Sequence, residues 1–144
     1  MTHFSRLKVY LTSFTKFKVT VAKQEGGTAV DAVEEAVRLL EDNKYFNAGH
    51  GSLLTNNGEV ECDAMIMDGH TMNTGAVMGA RHFSNPVSIS RKIMEESYHC
   101  ALSGDGALKF AEKIGFTGIC EPGDLVEEET SLKHKFDYES YPEF

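Results

Sequence analysis

No aspartate or glutamate occurs in the first 24 residues, which carry Arg6, Lys8, Lys16, Lys18 and Lys23. The rest of the chain sets 9 basic residues against all 22 acidic ones, and the whole carries a formal charge of −8. That balance excludes an ordinary nucleic-acid binder, because phosphate contacts need clustered Lys and Arg. The acid-free, Ser/Thr-rich start is read as a strand or helix with basic flanks, with a mitochondrial presequence as the minor alternative. Lys and Arg interrupt every apolar stretch there, which excludes a secretory signal. No run approaches 18 apolar residues, so no membrane span is expected. There is no C-x-x-C. The three cysteines, Cys62, Cys100 and Cys120, are an odd number. They are expected to be reduced, buried thiols of a cytoplasmic protein and not a disulfide framework. The six histidines have no paired ligand spacing, which argues against zinc.

What is present suits one domain of 144 residues, 41% hydrophobic. Leu7, Val9 and Leu11 alternate, as do Phe17, Val19 and Val21, in the manner of half-buried strands. After the Gly26-Gly27 break, Thr28 is a good N-cap with Asp31 three residues on. Ala29, Val30, Val33, Ala36, Val37 and Leu40 then form a helical apolar stripe, with Glu34 and Arg38 expected to pair on the outer face. Asp42-Asn43 ends the helix. A polar, Gly-punctuated loop over 43–51 follows.

Ser52–Thr55 and Glu59–Met67 read as a hairpin around Asn56-Asn57-Gly58. Val60, Cys62, Ala64 and Ile66 alternate there with Glu61, Asp63, Met65 and Met67. Thr74–Ala80 is another strand, in which Gly75 and Gly79 would allow close approach. Asn85-Pro86 opens a second helix burying Val87, Ile89, Ile93 and Met94. His99–Leu102 is a short strand. Gly104–Gly115 is a third helix with Ala107, Leu108, Ala111 and Ile114 inward. A weak helix is expected near 124–135. Helices and strands intermix, so the class is α/β or α+β. Asp63 and Asp68 are read as a strand and a turn residue, not a catalytic carboxylate pair. Met65, Met67, Met72 and Met78 are read as core packing. Glu127, Glu128 and Glu129 are read as a solvated face.

Several words in order carry more specific information. Glu25 to Val33, Leu40-Glu41-Asp42, Phe46 to Ser52, Gly58 to Glu61, Asp63-Ala64, Ile66 to Gly69 and Gly75 to Val77 resemble the plant-type asparaginase/isoaspartyl peptidase family. Asn85-Pro86, Met94-Glu95, His99 and Gly106-Ala107 continue the register. The resemblance covers residues 18–130, between a divergent segment 1–17 and a tail 131–144. Residues 1–17 lack the His-Gly-Gly-type loop with which the family opens.

The resemblance implies an αββα Ntn-hydrolase sandwich, of which this α/β chain carries the incomplete N-terminal half. It implies a precursor that cuts itself before a threonine, whose hydroxyl then attacks an asparagine side-chain amide or a β-aspartyl peptide. The only Gly-Thr step here, Gly27-Thr28, is read as a helix cap, so no catalytic nucleophile is assigned within the chain. By resemblance Asn47 supports the active site; on its own residues it is an Asx-type turn residue. By resemblance a sodium ion is held through backbone carbonyls of Leu40, Glu41, Asn43, Phe46, Ala48 and His50, hard donors suited to such a cation. No other cofactor is expected. The expected partner is a β half or a full-length relative, with homo-oligomers possible. The rival expectation is an inactive truncated paralogue that binds a full-length relative.

Overall fold

The structure, a computed structural model, describes residues 27–127. The readings made for residues 1–24, for Glu128-Glu129, for the tail from 131 and for most of the helix near 124–135 lie outside them. Within them that helix is a short 3-10 turn, Pro122–Leu125.

Thr28 sits in extended backbone, and its hydroxyl accepts the Asp31 N–H while the Asp31 carboxylate accepts the Thr28 N–H at 2.7 Å. This reciprocal capping box opens helix α1, Ala29–Glu41. The apolar stripe of α1 is only partly covered: Val33 is 53% exposed, and Glu41 is the buried residue of the helix. The expected Glu34–Arg38 pair does not form. Arg38 reaches Glu35 at 3.4 Å, and Glu34 binds Arg91 at 2.7 Å. Arg91 also holds Asp31 at 2.6 Å and Glu95 at 2.7 Å, and this partly shielded network outcompetes an exposed pair within one helix.

Strands β1, Cys62–Met67, and β2, Thr74–Ala80, run antiparallel, and β3, Ala101–Ser103, lies parallel to β2 in the order β1-β2-β3. A parallel pair needs a crossover, and helix α2, Pro86–Glu96, supplies it, with Pro86 in the first turn. Helix α3, Gly104–Ile114, ends on Gly115 in the left-handed region. Val77, Ala80, Phe83, Ile89, Ile93, Ala107 and Ala111 form the main core between these two helices and the sheet. Met94, expected in that buried set, is only half-buried. A Cβ on Gly75 would collide with the Ser90 carbonyl and stand 2.5 Å from the Met94 nitrogen, so α2 packs directly on the β2 backbone. Gly79 has open space beside it and is needed for its positive φ of 59° instead.

The expected hairpin over 52–67 is reduced to one bridge, Leu54 to Val60. Its turn forms, with Gly58 at φ +76° and the Thr55 N–H bonded to the Glu59 carbonyl at 2.8 Å. The pairing goes no further because the first strand is bonded to the preceding loop. Ser52 donates to the Gly49 carbonyl at 3.2 Å, and Leu53 donates to Asn47 Oδ1 at 3.0 Å.

The four methionines read as core packing are not core. Met65, Met67, Met72 and Met78 are 63%, 44%, 67% and 50% exposed. The period-2 alternation of β1 is real, with Cys62 and Ile66 inward and Asp63, Met65 and Met67 exposed. Met65 stands opposite Ala76 and, with Met67 and Met78, leaves an apolar sheet face open. The expectation of buried thiols also needs correcting: Cys62 is buried, Cys120 half-buried and Cys100 exposed.

Candidate functional site

The C-terminal end of α1, the loop that follows it and the start of β1 converge on one place. A glutamate in the last turn of a helix faces the negative end of its own dipole, which is unfavourable. Glu41 turns instead toward the N-terminus of α2, where its Oε1 accepts the Val87 N–H at 3.0 Å. Only 3% of Glu41 is exposed, and its Oε2 is buried without a hydrogen-bond partner. Burial pushes its carboxyl up to about 7, against the stabilising Val87 N–H. The neighbouring Asn85 amide donates to Asp42 Oδ1 at 2.8 Å, a second link between the end of α1 and the start of α2.

The loop is wound tightly by glycine. Gly49 takes φ +55°, and a Cβ there would overlap the Glu41 carbonyl. A Cβ on Gly51 would overlap the Phe46 carbonyl. Leu40, Asn43, Phe46 and Ala48 each accept one loop N–H through their carbonyl oxygens, from Asn43 at 3.1 Å, Phe46 at 3.0 Å, Ala48 at 2.9 Å and Gly51 at 3.2 Å. A carbonyl keeps a second lone pair after one such bond. His50 lies in the 3-10 turn Gly49–Gly51, its Nδ1 4.0 Å from Glu127 Oε1. The six positions expected to ligate sodium therefore lie along the end of α1, the loop and the 3-10 turn, and the two glycines leave room against the Glu41 and Phe46 carbonyls. Among the described residues no group of three His, Cys, Asp or Glu side chains is placed to hold a metal ion.

Asn47 is exposed, and its side chain fixes the entry to the next segment through Leu53. Beside it opens a cavity of about 190 Å³, lined among others by Glu41, Gly49, Ser52 and Cys62. Ser52 Oγ and Cys62 Sγ, 3.2 Å apart, share a hydrogen bond in its wall. Asp63 accepts the Gly79 N–H at 2.8 Å, and Asp68 closes the β1–β2 turn by accepting from His70 and Thr71 at 2.9 Å each, so the two acids stand apart in separate roles. Thr28 is engaged as the cap of α1. The Glu41 carboxylate was missed in the sequence, where only its carbonyl was considered. Its place at the wrong end of a helix dipole was the signal available.

A small mixed sheet covered by helices on one face, with a glycine-wound loop between helix and strand, defines an α/β protein of the kind expected for part of an Ntn-hydrolase sandwich. The sequence profile of the asparaginase family matches residues 6–136, and the chain belongs to that family. It is 57% identical over 90 residues to a plant-type L-asparaginase of Pyrococcus furiosus, covering 62% of this chain and 29% of that protein. It is 51% identical over 98 residues to an isoaspartyl peptidase/L-asparaginase of Danio rerio, covering 68% and 32%. A human isoaspartyl peptidase/L-asparaginase is 48% identical over 110 residues, covering 76% and 35%. The chain thus spans about a third of the length of the curated relatives it matches. Among the described residues no helix is long and apolar enough to cross a membrane.

Proposed function

We propose that this chain supplies the α part of a cytoplasmic asparaginase/isoaspartyl peptidase and works when paired with a β half that brings the nucleophilic threonine. The family match over residues 6–136 is the observation that carries this reading. In it, the threonine hydroxyl attacks the side-chain amide carbon of asparagine, or the β-aspartyl bond of an isoaspartyl peptide. Its own α-amine, with an ordinary pKa of about 7.7–8, takes the proton and returns it to the leaving amine. Water then hydrolyses the acyl-enzyme to release aspartate. The chain's own part is support. Asn47 stands at the mouth of the cavity with its orientation set by Leu53, and the loop from Leu40 to His50 holds it in place. A sodium ion on the loop carbonyls would stiffen that loop by binding several of its oxygens at once. The open methionine face of the sheet suits burial against the β half.

The test is reconstitution. Residues 1–144 alone are expected to release no aspartate from asparagine or a β-aspartyl dipeptide. Co-expression with the β half of a full-length relative is expected to give turnover, abolished by changing that half's terminal threonine to alanine. Turnover by the isolated chain would overturn the reading.

A further inference from the structure

The side-chain carbonyl of an asparagine can be attacked by the backbone nitrogen of the next residue. A following glycine favours this, because its missing Cβ leaves the nitrogen unshielded. Of Asn43, Asn47, Asn56, Asn57, Asn73 and Asn85, only Asn57 precedes glycine. Asn85 precedes proline, which has no N–H to give up. Asn57 is exposed at the tip of the 55–59 turn, and nothing lies within 4 Å of the place a Gly58 Cβ would take. The Gly58 N–H is held by one bond, to the Thr55 carbonyl at 2.8 Å. Beyond the turn the hairpin is a single bridge, Leu54 to Val60, so the tip opens at little cost. Asp68 and Asp105 also precede glycine, but the fold guards both. The His70 N–H and the Thr71 hydroxyl hold the Asp68 carboxyl below the usual carboxylate range, and an ionised carboxylate resists attack. Asp105 lies in the first turn of α3, where helical dihedrals keep the next nitrogen away from the side chain.

We infer that Asn57-Gly58 is a site of spontaneous covalent modification in the folded chain, where a β-aspartyl linkage forms. The Gly58 nitrogen attacks Asn57 Cγ and closes a succinimide ring. The Cγ–Nδ2 bond breaks, and the side-chain nitrogen leaves as ammonia, carrying the proton that Gly58 gave up. Water then opens the ring at either carbonyl, to an aspartyl or a β-aspartyl linkage. Water is consumed and ammonia released, with no oxidation or reduction. The β-aspartyl form puts one more carbon into the main chain and a carboxylate at the tip. The two bonds of Thr55 that shape the turn, to Gly58 and to Glu59, cannot then both persist. That turn joins Leu54 and Val60, both buried in the smaller core with Cys62 and Leu125. The modification is independent of the catalytic reading.

The experiment incubates the full chain in mildly alkaline buffer at physiological temperature, with and without urea, and follows its peptides by mass spectrometry. In native buffer the peptide carrying Asn57 is expected to gain the mass of an NH2-to-OH exchange and to split into two chromatographic isomers. Asn43, Asn47 and Asn73 are expected to stay unchanged over the same time. Gly58→Ala is expected to slow the conversion severalfold, and Asn57→Gln to abolish it. The melting midpoint of the aged wild type is expected to fall, while that of Asn57→Gln aged alike holds. Conversion of Asn57 only in urea would show that the turn protects it and overturns the inference. So would isomerisation of Asp68 or Asp105 in native buffer as fast as the loss of Asn57, since the fold would then select nothing. A midpoint unmoved by full conversion overturns the break in the turn.

Discussion

At the residue scale, two acids show how context reverses a carboxylate's role. Asp31 lies in water and is held down to about 2, chiefly by the Thr28 N–H and hydroxyl and then by Arg91. A folded pKa below the unfolded one stabilises above the unfolded value and is lost as pH falls through the folded value. The capping box is therefore expected to weaken between about pH 4 and pH 2, an acid loss that Asp31→Asn should remove from the stability profile. Thr28→Ala at neutral pH should cost about 1 kcal/mol in denaturant melts, as lost N-caps do. Glu41 is the opposite case, a buried charge with an unpartnered oxygen. At pH 8, Glu41→Gln is expected to be more stable than wild type by about 1 kcal/mol, because an isosteric amide removes a buried charge whose desolvation outweighs its contacts. A clear loss of stability would mean that the contacts of the carboxylate, the Val87 N–H among them, outweigh its desolvation.

At the scale of elements, the contacts depend on backbones meeting closely. The α2 helix lies on β2 at Gly75, where no Cβ fits. Gly75→Ala should cost about 3 kcal/mol, the scale of overpacking a tight core site. Gly58→Ala, with nothing near its Cβ, should cost less, from its positive φ alone. The helices and β2 were legible because each has its own signal: a cap, a proline, a left-handed glycine or a period-2 run. The hairpin over 52–67 was legible only as a turn. Its first strand had the right residues, but Asn47 and Gly49 claimed its backbone N–H groups. That competition is between segments and has no period in the sequence.

At the scale of the whole molecule, the open sheet face is the main consequence of the packing. Met65, Met67 and Met78 alternate as core residues would, yet the described helices occupy only the other side. Met65→Lys combined with Met78→Lys should leave the isolated chain's stability within about 0.5 kcal/mol, as exposed substitutions usually do. The same pair should prevent assembly with a β half, measured by co-purification, because two charges would be buried in an apolar interface. Assembly unaffected by both lysines would remove this face from the proposed interface.

The sequence by itself determined the helices, the strand alternation and the family, because capping, period and linked motif words are local and ordered along the chain. It also placed the six loop positions together, since they are neighbours in sequence. Only the tertiary structure decided which face of the sheet is covered, since alternation marks two faces without saying which has a partner. It alone also gave Glu41 its character. A glutamate reads as solvent-facing until the start of another helix, 46 residues on, closes over it and removes the water.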